Sequence, residues 1–166
     1  MEHARPADPS ELDLVGELWS DAVAELDGQR GGSLLAGSLT HDDLPADLLA
    51  AQQDPDRLVV IGLIDAVPVG FAYARCDRSR HDAVGAIEVI YVQPPARQVG
   101  VAEAMVAVVN DWSVERGCVG VDAPALPGSR PAKSFFEDNG FTARLIVMHH
   151  PLRTGDVAEH RGNGGG

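Results

Sequence analysis

The sequence predicts one α/β (α+β) domain, a mixed central sheet of about six to seven strands flanked by helices. Three observations carry this expectation. Leu58–Ile64 and Val69–Arg75 are strand-like runs joined by the turn Asp65-Ala66-Val67-Pro68, the pattern of an antiparallel hairpin. Ile87–Val92 is a β-branched and aromatic run closed by Pro94 and Pro95, and a helical pattern follows at once. Beyond it, strand and helix patterns continue to alternate, which gives a sandwich that is part antiparallel and part parallel.

The elements follow in order. Ala4-Arg5-Pro6 suits a short first strand, and Asp8-Pro9-Ser10-Glu11 a helix start, with a capping residue and an early proline. Leu14, Leu18, Val23 and Leu26 make an apolar stripe up to Asp27-Gly28. Trp19 belongs near that stripe, as core or as the border of a cleft. Gln29–Thr40, with Gly31, Gly32 and Gly37, reads as a loop, and Asp42–Gln52 as a short helix. Cys76–Asp82 is a polar turn. In the helix after Pro95, Val101, Met105, Val108 and Trp112 recur at three- and four-residue spacing until Arg116-Gly117. Val119–Ala123 is a strand, Pro124–Pro131 its exit loop, Ala132–Asn139 a helix closed by Gly140, and Phe141–Leu152 the last strand. The domain is expected over 1–155, with a polar, glycine-rich tail over 156–166 and no internal repeat.

Composition narrows the function classes. The apolar fraction of 45% and charged fraction of 23% are those of a globular chain. No apolar run approaches the ~20 residues of a membrane span, and the N-terminal residues lack a signal peptide's apolar core, so a cytoplasmic protein is expected. A net charge of −12 argues against nucleic acid and anionic membrane as partners. It is compatible with a cationic acceptor, but solubility alone is the stronger reading of it. Cys76 and Cys118 lack metal or redox spacing and read as free structural thiols. His149 and His150 are adjacent on a strand pattern and face opposite sides, and the remaining histidines are scattered, so no metal is expected.

The chemistry-bearing stretch is Gly85–Arg116. A strand, a glycine-containing turn and a helix N-terminus make a place for phosphate, because the first helical turn has unpaired N–H groups and the positive end of the dipole. Gly100 admits a ligand close to the backbone, and Arg97 can add a charge-assisted bond. Neither G-x-G-x-x-G nor G-x-x-x-x-G-K-[ST] is present.

Arg97-x-x-Gly100-x-Ala102 after Tyr91-Val92-x-Pro94 resembles the first motif of the GNAT superfamily of acyl-CoA-dependent N-acyltransferases. Ala132-Lys133-Ser134-Phe135-Phe136-Glu137-Asp138-Asn139-Gly140-Phe141 resembles its second, A-x-x-x-(Y/F)-E-x-x-G-F. The resemblance covers Arg5 to Leu152. It implies acetyl-CoA as cosubstrate, with Arg97, Gln98, Val99, Gly100, Val101 and Ala102 holding the pyrophosphate and Tyr91 and Val92 lending main-chain groups to the pantetheine arm. It also implies an N–H near Val92 as oxyanion donor, a primary amine of a small molecule or peptide as acceptor, and a possible homodimer. The family's central strand typically carries a bulge.

Glu88 is the candidate general base, since an amine with a pKa near 10 must lose a proton before it attacks. Simple alternation puts Ile87, Val89 and Tyr91 on one face and Glu88, Ile90 and Val92 on the other, so the Tyr91 phenol receives no catalytic role. The alternative for Glu88 is a sheet-surface carboxylate or an arginine partner. Phe136 stands where many relatives have a tyrosine that protonates the leaving thiolate, and Ser129 where they often have asparagine. A catalytically weak or inactive acyl-CoA-binding or regulatory module of the same fold is therefore the alternative function.

Overall fold

A computed structural model describes residues 1–152. The tail expected over 156–166 lies outside them. Five strands form one sheet in the order β1 (Glu2–Pro6), β2 (Arg57–Ile64), β3 (Val67–Asp77), β4 (Val84–Val92) and β5 (Val121–Asp122). The first three pairings are antiparallel and β4–β5 is parallel. Helices α1 (Leu12–Asp27) and α3 (Leu44–Gln53) cover one face, with α2 (Gly32–Ser38) packed on α1. Helices α4 (Val101–Glu115) and α5 (Arg130–Asp138) cover the other.

Each face is built from the periodicity of its elements. Leu12, Val15, Leu18, Trp19 and Ala22 recur along α1 and meet Val59, Phe71, Tyr73 and Val89 of the sheet. Val101, Met105 and Val109 of α4 meet Val60, Ala72, Ile87 and Val92 on the opposite side. Val108 and Trp112, expected in that stripe, are partly buried at its edge. Burying one such side chain is worth about 1.5–3 kcal/mol, so the two faces dominate the stability. The approach of α4 to β2 needs Gly62: a Cβ there would stand 2.6 Å from Val101 Cγ1.

Several expectations are corrected. Gln29–Thr40 contains helix α2, whose exit is fixed by the Trp19 indole N–H donating to Leu39 O at 2.8 Å; Trp19 itself is core, the first of its two expected placements. The strand β5 is two residues, not Val119–Ala123, because the chain diverges from β4 after Asp122. Cys76 continues β3 rather than opening a turn. Phe141–Leu152 is no strand: it has no regular structure, and Leu145, Ile146, Val147 and Met148 are 71–88% exposed. That run has strand propensity, but a strand exists only against a partner, and within the described residues it has none. Among the described residues the sheet therefore has five strands where about six to seven were expected.

Candidate active site

The site starts from a single extra residue in β4. Tyr73 faces Val89 and Ala74 faces Ile87, so Glu88 has no partner of its own and forms a β-bulge. The bulge resets the alternation. Ile87, Ile90 and Val92 pack toward α4, whereas Val89 and Tyr91 pack toward α1. Glu88 turns to the α1 side as well, where its carboxylate binds Arg75 Nε of β3. The expected placement of Glu88 opposite Tyr91 is thus wrong: the inserted residue brings them to the same face. The Arg75 bond is the alternative foreseen for Glu88. It fixes the carboxylate while leaving 32% of the side chain exposed.

Past the bulge, β4 and β5 separate. Among the described residues their pairing is confined to Gly85↔Val121 and Ala86↔Asp122. Beyond it lies a slot of about 150 Å³, walled by Ile87–Tyr91 on one side and by Pro124–Leu126, Ser129, Ala132 and Phe136 on the other. The end of α1, through Ala22, Glu25 and Leu26, and Gln29 just past it close one flank. Gln93 N–H donates to Val69 O at 2.9 Å, so the neighbouring pair Gly70↔Val92 is a non-bonded one in the antiparallel ladder. The N–H and C=O of Val92 therefore point away from β3, toward the slot, whereas those of Tyr91 turn to β3.

At the slot's end the chain makes a tight 3₁₀ turn, Pro94–Ala96, and then enters α4. Gln98 and Gly100 both have positive φ, 66° and 94°. This twist aims the first turn of α4 outward, and among the described residues no side chain caps it. Val99 is exposed and Val101 buried, so between them the backbone is the accessible surface. Glu2 of β1 flanks the turn: a Cβ on Gly100 would lie 3.1 Å from Glu2 Cγ.

Arg97 does not project freely. Its Nε–H donates to Val92 O at 2.7 Å and one Nη to Glu25 Oε2 at 2.6 Å, while the guanidinium lies 5.5 Å from the centre of the Tyr91 ring. A strap thus crosses the slot mouth from β4 to α1. Burial, with Asp21 and Glu25 nearby, pushes the Tyr91 phenol above its ordinary pKa and keeps it protonated. Ser129 is the N-cap of α5, with its hydroxyl unused for capping. Phe136 is buried, in edge contact with Phe135 and Phe141, each at 5.2 Å between ring centres. Glu25, Gln29 and Leu126 were missed from the sequence, since they join the site only through packing. The acid at Glu25, on the helix flank beside the apolar stripe, was the one available signal. Among the described residues no group of three or more His, Cys, Asp or Glu side chains could hold a metal, and no helix is long and apolar enough to cross a membrane.

Comparison with known proteins agrees with this architecture. The chain is 32% identical over 96 residues to an aminoglycoside N(6')-acetyltransferase type 1 of Salmonella typhimurium, an alignment covering 52% of this chain. It spans 64% of that relative's length. Among solved structures it is similar to AAC(6')-Iy in complex with a bisubstrate analogue, CoA-S-monomethyl-acetylneamine, with TM-score 0.68, 24% identity and coverage of 92% of this chain and 99% of that one. It is also similar to glucosamine-6-phosphate N-acetyltransferase from Arabidopsis thaliana, with TM-score 0.67, 16% identity and coverage of 92% and 99%. These likenesses are in fold. The family model of the GNAT acetyltransferases matches residues 23–141, which span the bulged strand, the glycine turn and both flanking helices. The chain belongs to the acetyltransferase (GNAT) family.

Proposed function

We propose that this protein transfers an acetyl group from acetyl-CoA to the primary amine of a small cationic acceptor, by direct attack on the thioester. The observation that supports it best is the slot: β4 and β5 part at the bulge, and the glycine turn of α4 stands at the far end. In this reading the backbone of Gln98, Val99, Gly100, Val101 and Ala102 holds the pyrophosphate, with each helix-end contact worth about 0.3–1 kcal/mol. Arg97 leaves Val92 O and turns to a phosphate oxygen. The pantetheine arm lies along Tyr91 and Val92, and between Ser129 and Phe136 on the other wall. The Val92 N–H then meets the oxyanion, a type of contact worth about 2.7–4 kcal/mol.

Glu88 takes the proton of the attacking ammonium. At neutral pH only about one alkylamine in a thousand is unprotonated, so a fixed carboxylate acting on the bound amine matters. Phe136 offers no proton to the departing sulfur. A thiol pKa of ~8.5 makes the thiolate a tolerable leaving group without one. An aminoglycoside-like acceptor is favoured by the Salmonella relative's name and by the net charge of −12, which complements a polycation.

The test is release of free CoA thiol over a panel of aminoglycosides, polyamines and amino-sugar amines. Turnover with at least one cationic amine is expected, and Glu88→Gln should lower kcat about 10²–10⁴-fold while acetyl-CoA affinity persists. Acetyl-CoA binding without thiol release on any amine would favour the alternative, an acyl-CoA-binding module. We also infer a homodimer, supported by the exposed run Leu145–Met148, which follows the Arg144–Asp122 ion pair at the open edge of β5. Light scattering on the full chain should give twice the monomer mass, and deletion of 144–152 should halve it.

A further inference from the structure

The two cysteines, far apart along the chain, meet at the end of the sheet where Cys76 of β3 pairs with Gly85 of β4. Cys76, near the end of β3, is 8% exposed, and Cys118 lies half-buried in the turn between α4 and β5. Their sulfurs are 3.0 Å apart across a sequence separation of 42. Neither can drift easily. Cys76 N–H donates to Asp56 O at 2.7 Å, and Cys118 N–H to Ser113 O at 2.9 Å. The strands behind them are locked too, with Gly85 N–H on Gly120 O and Val119 N–H on Ala83 O, both at 2.9 Å.

We propose that Cys76 and Cys118 are a redox modification site, which closes to an intramolecular disulfide when a low-molecular-weight disulfide such as oxidised glutathione is the oxidant. The more exposed Cys118, as thiolate, attacks one sulfur of the small disulfide and releases one small thiolate. A mixed disulfide is left. Cys76, as thiolate, then attacks the Cys118 sulfur beside it and displaces the second small thiolate. Two protein S–H bonds and one small S–S bond are lost; one protein S–S bond and two small S–H bonds are gained. The two protons finish on the released thiols, and the two electrons reduce the oxidant.

The surroundings set the rate. Arg78, from the segment after β3, favours the Cys118 thiolate. Burial, the Cys76 thiol and Asp56, from the turn before β2, oppose it. Asp56 is itself bound by Arg78, with both oxygens at 3.0 Å. The balance holds Cys118 up to about 11. Thiolate is therefore scarce at neutral pH, and closure accelerates about tenfold per pH unit through the mildly alkaline range. Once closed, the bond spans β4 and α4 and staples the end of β3 to the segment feeding β5. Restricting the unfolded chain over a loop of that size raises the thermal midpoint by on the order of 10 °C.

The full chain is incubated with excess oxidised glutathione at pH 8.5, alkylated and weighed intact. The expected product is a single chain without an intermolecular disulfide, about 2 Da lighter, refractory to alkylation, more heat-resistant and restored by dithiothreitol. In Cys76→Ser the same treatment should leave glutathione bound at Cys118, because the resolving thiol is gone. Two alkylatable thiols after exhaustive oxidation, a stable glutathione adduct on the parent chain, or a disulfide-linked dimer would each overturn the assignment. The site is independent of acetyl transfer, so its failure and that of the catalytic reading are separate outcomes.

Discussion

Gly100→Ala tests the geometry at the entrance to α4. The residue has φ 94° and ψ 0°, beyond the left-handed basin centred at about φ +57° that an L-residue tolerates. An alanine held there costs about 1–2 kcal/mol. The new Cβ would stand 3.1 Å from Glu2 Cγ, but Glu2 is exposed and can move aside, so sterics add little. For a domain of this size 1 kcal/mol shifts the thermal midpoint by about 2–4 °C, so a fall of about 2–8 °C is expected. Acetyl-CoA affinity should weaken about two- to fivefold for each amide contact the displaced turn loses. Scanning fluorimetry and titration calorimetry read the two effects. Adding Glu2→Ala should not restore the midpoint, and Gly120→Ala, with open space and no positive φ, should leave it near the parent's. A Gly100→Ala midpoint within about 1 °C of the parent would refute the strain argument, and full rescue by Glu2→Ala would show collision to be the cause.

Gly16→Ala, inside α1 with nothing within 4 Å of the new methyl, should stabilise by about 0.5–1 kcal/mol in a denaturant titration. Glu25→Gln removes the carboxylate that ties Arg97 to α1, a half-exposed pair worth at most about 1 kcal/mol. Arg97 is then freer to turn to phosphate, and calorimetry should show acetyl-CoA binding up to about fivefold tighter; weaker binding would mean that Glu25 organises Arg97 for the ligand. Glu11→Gln concerns the pairing of β1 with the turn before α1. Arg5 binds Glu11 through two hydrogen bonds, of 2.7 and 2.8 Å, and holds its pKa below the ordinary carboxylate value. A lowered folded pKa gives stability that is complete above the ordinary value of 4.5 and lost as pH falls through the folded one. Parent and variant should therefore differ by about 0.5–1 kcal/mol at pH 7 and converge in strong acid, as urea midpoints against pH would show.

Much of the scaffold was legible because it depends on local pattern. The apolar stripe of α1, the strands β2 to β4, the glycine turn and the start of α4 follow from periodicity and from proline and glycine chemistry. Gly117 and Gly140 end helices with positive φ, as their positions suggested. What was not legible depends on pairing. Whether Glu88 is an extra residue is decided by β3, and nothing within Ile87–Val92 announces it. The fate of Leu145–Met148 likewise depends on what lies beside it, and propensity alone made it a strand. The Arg97–Glu25 bond and the Cys76–Cys118 contact each join residues whose separation hides their proximity. Composition therefore suggested free structural cysteines, where the fold sets sulfur against sulfur.

The strand order has a bearing on how the molecule assembles and breathes. From β1 to β4 each strand pairs with one adjacent to it in the sheet order, and the β2–β3–β4 meander is joined by short links. The step from β4 to β5 travels over α4 and ends in a contact of two residues, whereas the longer excursion from β1 to β2, over α1, α2 and α3, ends in a pairing of five. Short-range hairpins form sooner than long connections close, so the outer wall of the cleft docks after the β2–β3–β4 meander during folding. So small a contact also makes it a low-stability edge in native-state fluctuations. A long, thin cosubstrate need not thread end-on: it can enter sideways each time that wall swings out.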